Sequence, residues 1–278
     1  MASSQKSKII SLRNLILKYQ DKLDIDELDR LMAVALHKNI AYIYKNPEKK
    51  LSRSNILAFK KILKKRLAGW SLATLSGQKE FFGLNFLVNK YTLIPRPESE
   101  LIVEEALKST ADGQNILDIG TGSGVLILSL AKHNTHLANY TATDISGRAL
   151  KIAKSNSRKL KLKNKIKFIK TDLLAGLSSQ FDIIMANLPY LNPKQMKEPS
   201  ISKEPVSALL SGADGLDHYR KFLKQLPRYL NKKYIILLEI DPSQKDQIKK
   251  EISENLPQAK IKFLKDLAQN IRVVKITD

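Results

Sequence analysis

The chain has 278 residues, a length that suits one large domain or two unequal ones. Apolar residues make up 43% and charged residues 27%, which excludes wholesale disorder. With no cysteine and only 4 histidines, disulfides and thiolate metal sites are excluded and no bound metal is expected. Apolar runs fall short of the roughly 18 residues of a membrane span, and the first residues lack a secretion signal, so we expect a cytoplasmic protein without membrane contact.

The formal charge of +21 raises the question of an anionic partner. Most basic residues are spread along the chain, which favours a general lysine-rich composition over a nucleic-acid-binding surface. Two runs are denser: residues 49–66 carry eight Lys or Arg and residues 151–170 carry nine, and neither run contains an acid. Each run falls in a predicted helix or at its exit, where a solvated charged face is the simplest explanation. The runs mark candidate docking surfaces without identifying a partner.

The first 71 residues are predicted to form a small helical bundle. Pro47 interrupts a short segment, Asp24 or Asp26 can cap the second helix, and Ser52 or Ser54 can cap the last one. Apolar side chains recur at helical spacing in three segments. They are Ile9, Ile10, Leu12, Leu15, Ile16 and Tyr19, then Leu28, Leu31, Met32 and Leu36, then Ile56, Leu57, Phe59, Ile62, Leu63 and Leu67.

The sequence pattern changes over residues 72–97, where short aromatic and β-branched segments replace the helical spacing. Gly83 and Asn85 are typical turn residues, so this region is predicted to form a β-hairpin linker. From residue 98 onward strands and helices alternate, which predicts an α/β domain over residues 98–278 with a doubly wound, mostly parallel seven-stranded sheet. Residues 265–270 are too few for a crossover helix, so the last strand is expected to be antiparallel. The predicted strands are 115–119, 140–144, 165–171, 181–187, 234–240, 260–264 and 271–276.

An apolar strand runs directly into the glycine-rich turn Gly120–Gly124, which opens a helix. Glycines let a ligand approach the backbone, and the helix start presents amide groups. The last glycine of a dinucleotide fingerprint would fall on Val125, which counts against NAD. The next strand ends at Asp144, where a carboxylate can accept both ribose hydroxyls, and Asp172 ends the third strand, where it can meet an adenine amino group. The pattern predicts an adenosine-type cofactor without a pyrophosphate.

The fourth strand delivers Asn187, Leu188, Pro189 and Tyr190 at its carboxyl end, beside the point where open α/β sheets bind ligands. Asn187 offers a side-chain acceptor, residue 188 a backbone carbonyl, and Tyr190 an aromatic wall. Two acceptors side by side suit a planar –NH₂ group, because they fix its hydrogens and aim its nitrogen at an electrophile. The segment predicts methyl transfer to such a nitrogen; an ordinary strand exit is the alternative.

On these motifs the chain resembles the release factor glutamine methyltransferases, a group of class I S-adenosylmethionine-dependent methyltransferases with a Rossmann-like fold. The likeness spans nearly the whole chain, and its most specific part is Leu93–Glu100. The other matching segments are 75–77, 80–83, 204–205, 208–209 and 212–219.

The resemblance implies a cofactor, a substrate and their residues. The substrate would be the glutamine amide in the Gly-Gly-Gln loop of class I peptide chain release factors, held by Asn187, Leu188, Pro189 and Tyr190, with Arg96 also in the substrate site. The cofactor would be S-adenosyl-L-methionine. Its expected contacts are Gly120, Thr121, Gly122, Ser123, Gly124, Asp144, Asp172, Leu173 and Asn187.

Two positions depart from the family pattern. The family motif is N-P-P-Y, and this chain has Leu188 in place of the first proline. The family's usual G-E-P reads Gly69-Trp70-Ser71 here. Because position 188 contributes its main-chain carbonyl in the family, the chemistry is expected to be preserved.

Two other functions stay open at this point. A methyltransferase of exocyclic amines in RNA or DNA uses a related motif and would account for the positive charge, although its base must be flipped out. A non-catalytic scaffold with the same fold is the second. The segment Leu93–Glu100 and the lack of an obvious target-recognition domain favour glutamine methylation. We therefore expect a monomer that docks release factors through residues 1–71 and needs no nucleic acid.

Overall fold

The computed structural model describes residues 10–163 and 165–278. The chain divides into two compact units, Met1–Ser76 and Gly77–Asp278. Ile9, assigned above to the first apolar segment, lies outside the described residues. Within the described ranges, none of the helices is both long enough and apolar enough to cross a lipid bilayer.

The first unit is helical. Its helices are α1 (Leu12–Leu17), α2 (Ile25–Leu36), α3 (Ile40–Lys45), α4 (Arg53–Leu67) and α5 (Leu72–Ser76).

Side-chain caps explain where these helices begin. The Ser11, Asn39 and Ser52 side chains accept hydrogen bonds from the backbone N–H three residues further on, at 3.4, 2.9 and 3.2 Å. Such caps satisfy amide groups that have no partner inside the helix. Asp24 precedes α2, but its side chain forms no capping hydrogen bond with the described residues. Of the two serines proposed for α4, Ser52 is the cap.

Phe59 lies at the centre of the first unit's core. Its side chain is fully buried on α4, and its ring centroid is 5.9 Å from that of Tyr19. The predicted apolar positions account for most of this core. Its buried members are Leu12, Leu15, Ile16, Leu28, Leu31, Met32, Ala33, Ala35, Ile43, Leu51, Phe59 and Leu63.

The second unit opens with a β-hairpin of strands β1 (Gln78–Phe81) and β2 (Leu84–Leu87). The turn lies at Phe82 and Gly83, which both have positive φ, a geometry that matches the twist of hairpin strands. Asn85 is therefore a strand residue and not part of the turn. The expected linker over 72–97 is broader than this hairpin, because residues 72–76 form α5.

The main sheet has seven strands in the order β5-β4-β3-β6-β7-β9-β8. Neighbouring strands from β5 to β7 are parallel, and β9 runs antiparallel to both β7 and β8. The predicted fold, including the antiparallel last strand, is confirmed. The strands are β3 (Asn115–Ile119), β4 (Asn139–Asp144), β5 (Ile166–Lys170), β6 (Phe181–Ala186), β7 (Leu230–Glu239), β8 (Lys260–Lys265) and β9 (Ile271–Thr277).

Helices cover both faces of this sheet, as the buried apolar runs of its strands require. Ile183 and Ile184 illustrate the alternation, since they belong to hydrophobic clusters on opposite faces. One cluster takes in α6 and α7, and the other takes in α9 and α10. The helices are α6 (Glu100–Leu107), α7 (Val125–His133), α8 (Gly147–Lys159), α9 (Asp217–Gln225) and α10 (Lys245–Asn255).

Truncation of Phe59 tests the core of the first unit. Phe59→Ala removes a fully buried ring and is expected to lower the free energy of unfolding by about 3–5 kcal/mol. Leu57→Ala, on the same helix but 58% exposed, is the matched control and should change it by less than about 0.5 kcal/mol. Trp70 is the chain's single tryptophan and lies in this unit, so its fluorescence during urea unfolding reports the difference. Equal losses in the two variants would contradict the assignment of this core.

Candidate active site

The site lies where the strand order reverses, at the carboxyl ends of β3 and β6. These strands pair in parallel, with Ile119 opposite Ala186. The next residues, Gly120 and Asn187, therefore leave the sheet side by side. A Cβ at Gly120 would lie 3.3 Å from the Leu188 Cδ2 atom, so the glycine permits this close approach. The topology brings the glycine turn and the Asn187–Tyr190 segment to one edge of the sheet.

The glycine turn has a backbone that ordinary residues rarely adopt. Gly120, Gly122 and Gly124 have φ values of +66°, +56° and +86°. A Cβ at Gly124 would lie 2.8 Å from the Leu128 Cδ1 atom and 3.2 Å from the Ala153 Cβ atom. Gly124 therefore lets α7 start close against α8, while the earlier part of the turn faces a cleft.

Asp118 supports this turn from inside the sheet. Its carboxylate is completely buried and accepts a 2.6 Å hydrogen bond from the Thr121 hydroxyl. Burial raises the pKa of the Asp118 carboxyl to about 7. The sequence analysis did not assign Asp118 to the site, although it lies two residues before Gly120.

Asp144 ends β4 and closes the other side of the turn. One carboxylate oxygen accepts the Gly122 N–H at 2.8 Å, and the other accepts the Ser146 N–H at 2.7 Å. Burial raises the pKa of this carboxyl above its ordinary value. Each oxygen of an ionised carboxylate has a further lone pair, so Asp144 can still accept hydrogen bonds from a ligand such as a ribose.

A cleft opens along this edge of the sheet, and its volume, including the open mouth, is about 1040 Å³. Asp172 and Leu173 line its far side. Asp172 is half-exposed and forms an ion pair with Lys221, so its carboxylate already has a cationic partner. The predicted cofactor residues that line the cleft are Gly120, Thr121, Gly122, Ser123, Asp144, Asp172, Leu173 and Asn187.

A second cleft of about 510 Å³ is lined by residues of the Asn187–Tyr190 segment. Arg96 lines it and forms an ion pair with the buried Glu204, which also accepts the Ile94 N–H at 3.0 Å. Of the two clefts, Tyr190 lines only the second. Asn187 and Leu188, together with Leu93 and Ala208, line both clefts and so form the wall between them.

Hydrogen bonds link Asn187 to two buried residues outside the expected set, Ser99, which also lines the first cleft, and Glu239. The Asn187 Nδ2 group donates to the Ser99 hydroxyl oxygen at 3.0 Å, and the Ser99 hydroxyl donates to Glu239. The Tyr190 hydroxyl donates to the other Glu239 oxygen at 3.1 Å. Burial raises the pKa of the Glu239 carboxyl. Ser99 lies within the distinctive segment 93–100, but no motif or spacing in the sequence predicts its hydrogen bond to Glu239.

Leu188 contributes through both its side chain and its carbonyl. The side chain is buried in the hydrophobic core beside Gly120. The carbonyl oxygen lies 3.5 Å from the Tyr219 hydroxyl, which donates mainly to the Glu239 carbonyl. A hydrogen bond of 3.5 Å is weak, so the Leu188 carbonyl keeps accepting capacity for a further donor.

Comparisons with known proteins agree with this geometry. The Methyltransferase small domain family matches residues 97–208. The release factor glutamine methyltransferase of Bacillus cereus is 30% identical over 240 residues, which cover 82% of this chain and 84% of the relative. That of Shewanella oneidensis is 35% identical over 213 residues, covering 75% of this chain and 74% of the relative.

A solved structure agrees in fold. The T. thermophilus 16S rRNA N2 G1207 methyltransferase, in complex with AdoMet and guanosine, superposes with a TM-score of 0.53 at 17% identity. The match covers 72% of this chain and 49% of that one, and at this identity it supports the fold alone. The two relatives confirm the resemblance found in the motifs. The chain belongs to the family of release factor glutamine methyltransferases.

Proposed function

We propose that the chain transfers a methyl group from S-adenosylmethionine to the side-chain amide nitrogen of the glutamine in the Gly-Gly-Gln loop of class I peptide chain release factors, and does so in the cytoplasm. The observation that carries the proposal is the wall shared by the two clefts, to which Asn187 and Leu188 belong. Such a wall lets a methyl donor and an amide meet across one strand end.

The first cleft fits the cofactor. When bound, S-adenosylmethionine supplies an electrophilic methyl group on its sulfonium. Asp144 would accept the ribose hydroxyls, since its buried carboxylate faces the cleft with lone pairs to spare. The backbone of Gly120–Ser123 would contact the ligand closely, because the glycines leave no Cβ in the way. Leu173 would pack against the adenine ring and Asp172 would lie near its edge.

The second cleft fits the glutamine side chain. An amide nitrogen is a poor nucleophile because its lone pair is delocalised, so positioning must supply much of the catalysis. Asn187 Oδ1 and the Leu188 carbonyl would accept the two amide hydrogens and stabilise them as the nitrogen gains positive charge. The Tyr190 ring and Pro189 would shield the site from water.

Docking of the whole release factor is assigned to the first unit. One glutamine side chain offers too little surface to select a protein. Helix α4 presents exposed lysines, among them Lys61, Lys64 and Lys65, in a run of residues without an acid. A surface of this charge would steer an anionic partner towards the enzyme.

One assay separates this function from its rivals. Labelled S-adenosylmethionine is incubated with the protein and purified release factor, with RNA or DNA, or with neither. Label on the release-factor glutamine supports the proposal. Label on nucleic acid alone would support the exocyclic-amine methyltransferase, and no label in any arm would support the scaffold.

Asp144 is tested by cofactor binding. Asp144→Ala is expected to weaken binding of S-adenosylhomocysteine by about tenfold to a hundredfold, because charged hydrogen bonds contribute roughly 1.5–3 kcal/mol. Asp246→Ala, which removes an exposed carboxylate on α10, is the matched control and should leave the affinity unchanged. Isothermal titration calorimetry measures both variants. Unaltered binding by Asp144→Ala would remove this residue from the cofactor site.

Asn187 and Leu188 are expected to respond differently to substitution. Asn187→Ala loses a positioned acceptor and should lower kcat by about a hundredfold or more, with little change in cofactor affinity. Leu188→Pro keeps the carbonyl and should change kcat/KM by less than about threefold. Steady-state rates on one release factor give the comparison. A gain of more than about tenfold from Leu188→Pro would instead point to a retargeted site.

The docking surface is tested by reversing charges in the full chain. Replacing Lys61, Lys64 and Lys65 with Glu should raise KM for the release factor and make the rate less sensitive to salt. The control reverses three exposed lysines of α10, so that the net charge changes equally. These are Lys245, Lys249 and Lys250. If both triple variants have the same effect, the cause is the change in net charge, and the assignment of the docking surface to α4 is wrong.

A further inference from the structure

The hydrogen bonds behind Asn187 form a short relay that is shielded from water. Ser99, just before α6, and Glu239, the last residue of β7, are each only 2% exposed. Asn187 Nδ2 donates to Ser99, which donates to Glu239. Residues from three elements therefore meet beside the two clefts; Ser99 also lines the first cleft, whereas Glu239 lines neither.

The relay has a defined direction. When Glu239 is ionised its carboxylate can only accept hydrogen bonds, so in that state the single proton of the Ser99 hydroxyl goes to Glu239. The Ser99 oxygen then offers only lone pairs to Asn187. Asn187 must meet it with its –NH₂ group, which turns Oδ1 to the opposite edge of the amide.

We propose that Ser99 and Glu239 are positioning residues that hold the Asn187 amide with Oδ1 towards the substrate nitrogen. This inference rests on the proposed function, because the group that Oδ1 accepts from is the glutamine –NH₂. The two ends of an asparagine amide have nearly the same shape, so packing alone cannot select between them. A flipped Asn187 would point its own –NH₂ at the substrate's –NH₂, and two donors cannot bond to each other.

The charge of Glu239 is part of this arrangement. If the Glu239 carboxyl takes up a proton, it can donate to Ser99, and the Ser99 proton is then free to turn towards Asn187. Burial raises the pKa of this carboxyl, so the protonation occurs at a higher pH than for an exposed glutamate. The ionisable groups that act on the Glu239 carboxyl or on its partner Tyr190 are Tyr190, Tyr219, Glu98, Arg272 and Asp241.

The kinetic test removes or keeps the Ser99 hydroxyl. Ser99→Ala is expected to lower kcat by about tenfold or more, whereas Ser99→Thr keeps a hydroxyl and should stay within about threefold of the parent. Ser129→Ala, at a buried serine of α7, is the matched control and should also stay within about threefold. The affinity for S-adenosylhomocysteine should be the same in all four proteins. A parental kcat in Ser99→Ala would overturn the proposal.

A pH profile separates positioning from general support of the fold. In the parent, kcat should fall as the pH drops through the pKa of Glu239, because the charged form that orders the relay is lost. Ser99→Ala should have a low kcat without this acidic limb, since Glu239 no longer reaches Asn187. Glu239→Gln should also be slow and independent of pH in that range. An unchanged acidic limb in Ser99→Ala would contradict the relay.

A final measurement does not depend on the reaction. In the substrate-free 278-residue chain, NMR of the ¹⁵N-labelled Asn187 side-chain amide should show an amide proton that exchanges slowly with water. This protection should be lost in Ser99→Ala and kept in Ser99→Thr. Fast exchange in the parent would overturn the relay whatever the substrate is. Protection in the parent without methylation of any release factor would instead retain the relay and refute the proposed function.

Discussion

The pairing of β3 with β6 is the constraint on which the site depends. Because the two strands run parallel and in register, the residues that follow them emerge at the same height and in contact. Gly120 and Asn187 then occupy neighbouring positions, one beside the larger cleft and the other between the two clefts. A side chain larger than hydrogen at 120 would push against Leu188, so the wall and the turn constrain each other.

Buried carboxylates order the rest of the site. Asp118, Asp144 and Glu239 each lie at or near the carboxyl end of a parallel strand, and each is largely hidden from water. Burying such a group costs free energy unless hydrogen bonds compensate. Here the compensating donors include a threonine hydroxyl, backbone amides of the glycine turn and the Ser99 and Tyr190 hydroxyls. These hydrogen bonds also hold the turn and the wall in place.

The sequence predicted the parts of the molecule that follow local rules. The seven strands β3 to β9 follow from short apolar or β-branched runs bounded by turns and helices, and the place of Asp144 follows from the length of one strand–helix–strand unit. The Ser99–Glu239 contact joins residues 140 positions apart, and periodicity carries no information about such a pair. Helix α9 is missing from the predicted elements, although Tyr219, Phe222 and Leu223 have helical spacing, because the helix is short and no side chain among the described residues caps its start.

The strand order at the far end of the sheet also constrains how the second unit folds. In the described sheet β8 is joined to its neighbours through β9 alone, although it precedes β9 in the chain. The connection between β8 and β9 is short, so these two strands can pair as a local hairpin as soon as both have been synthesised. The pairing of β9 with β7 spans α10 and β8, closes a longer loop and is slower to form. Until it forms, β7, the strand that ends at Glu239, has an open edge, so the support behind Asn187 is complete only when the last hairpin has docked.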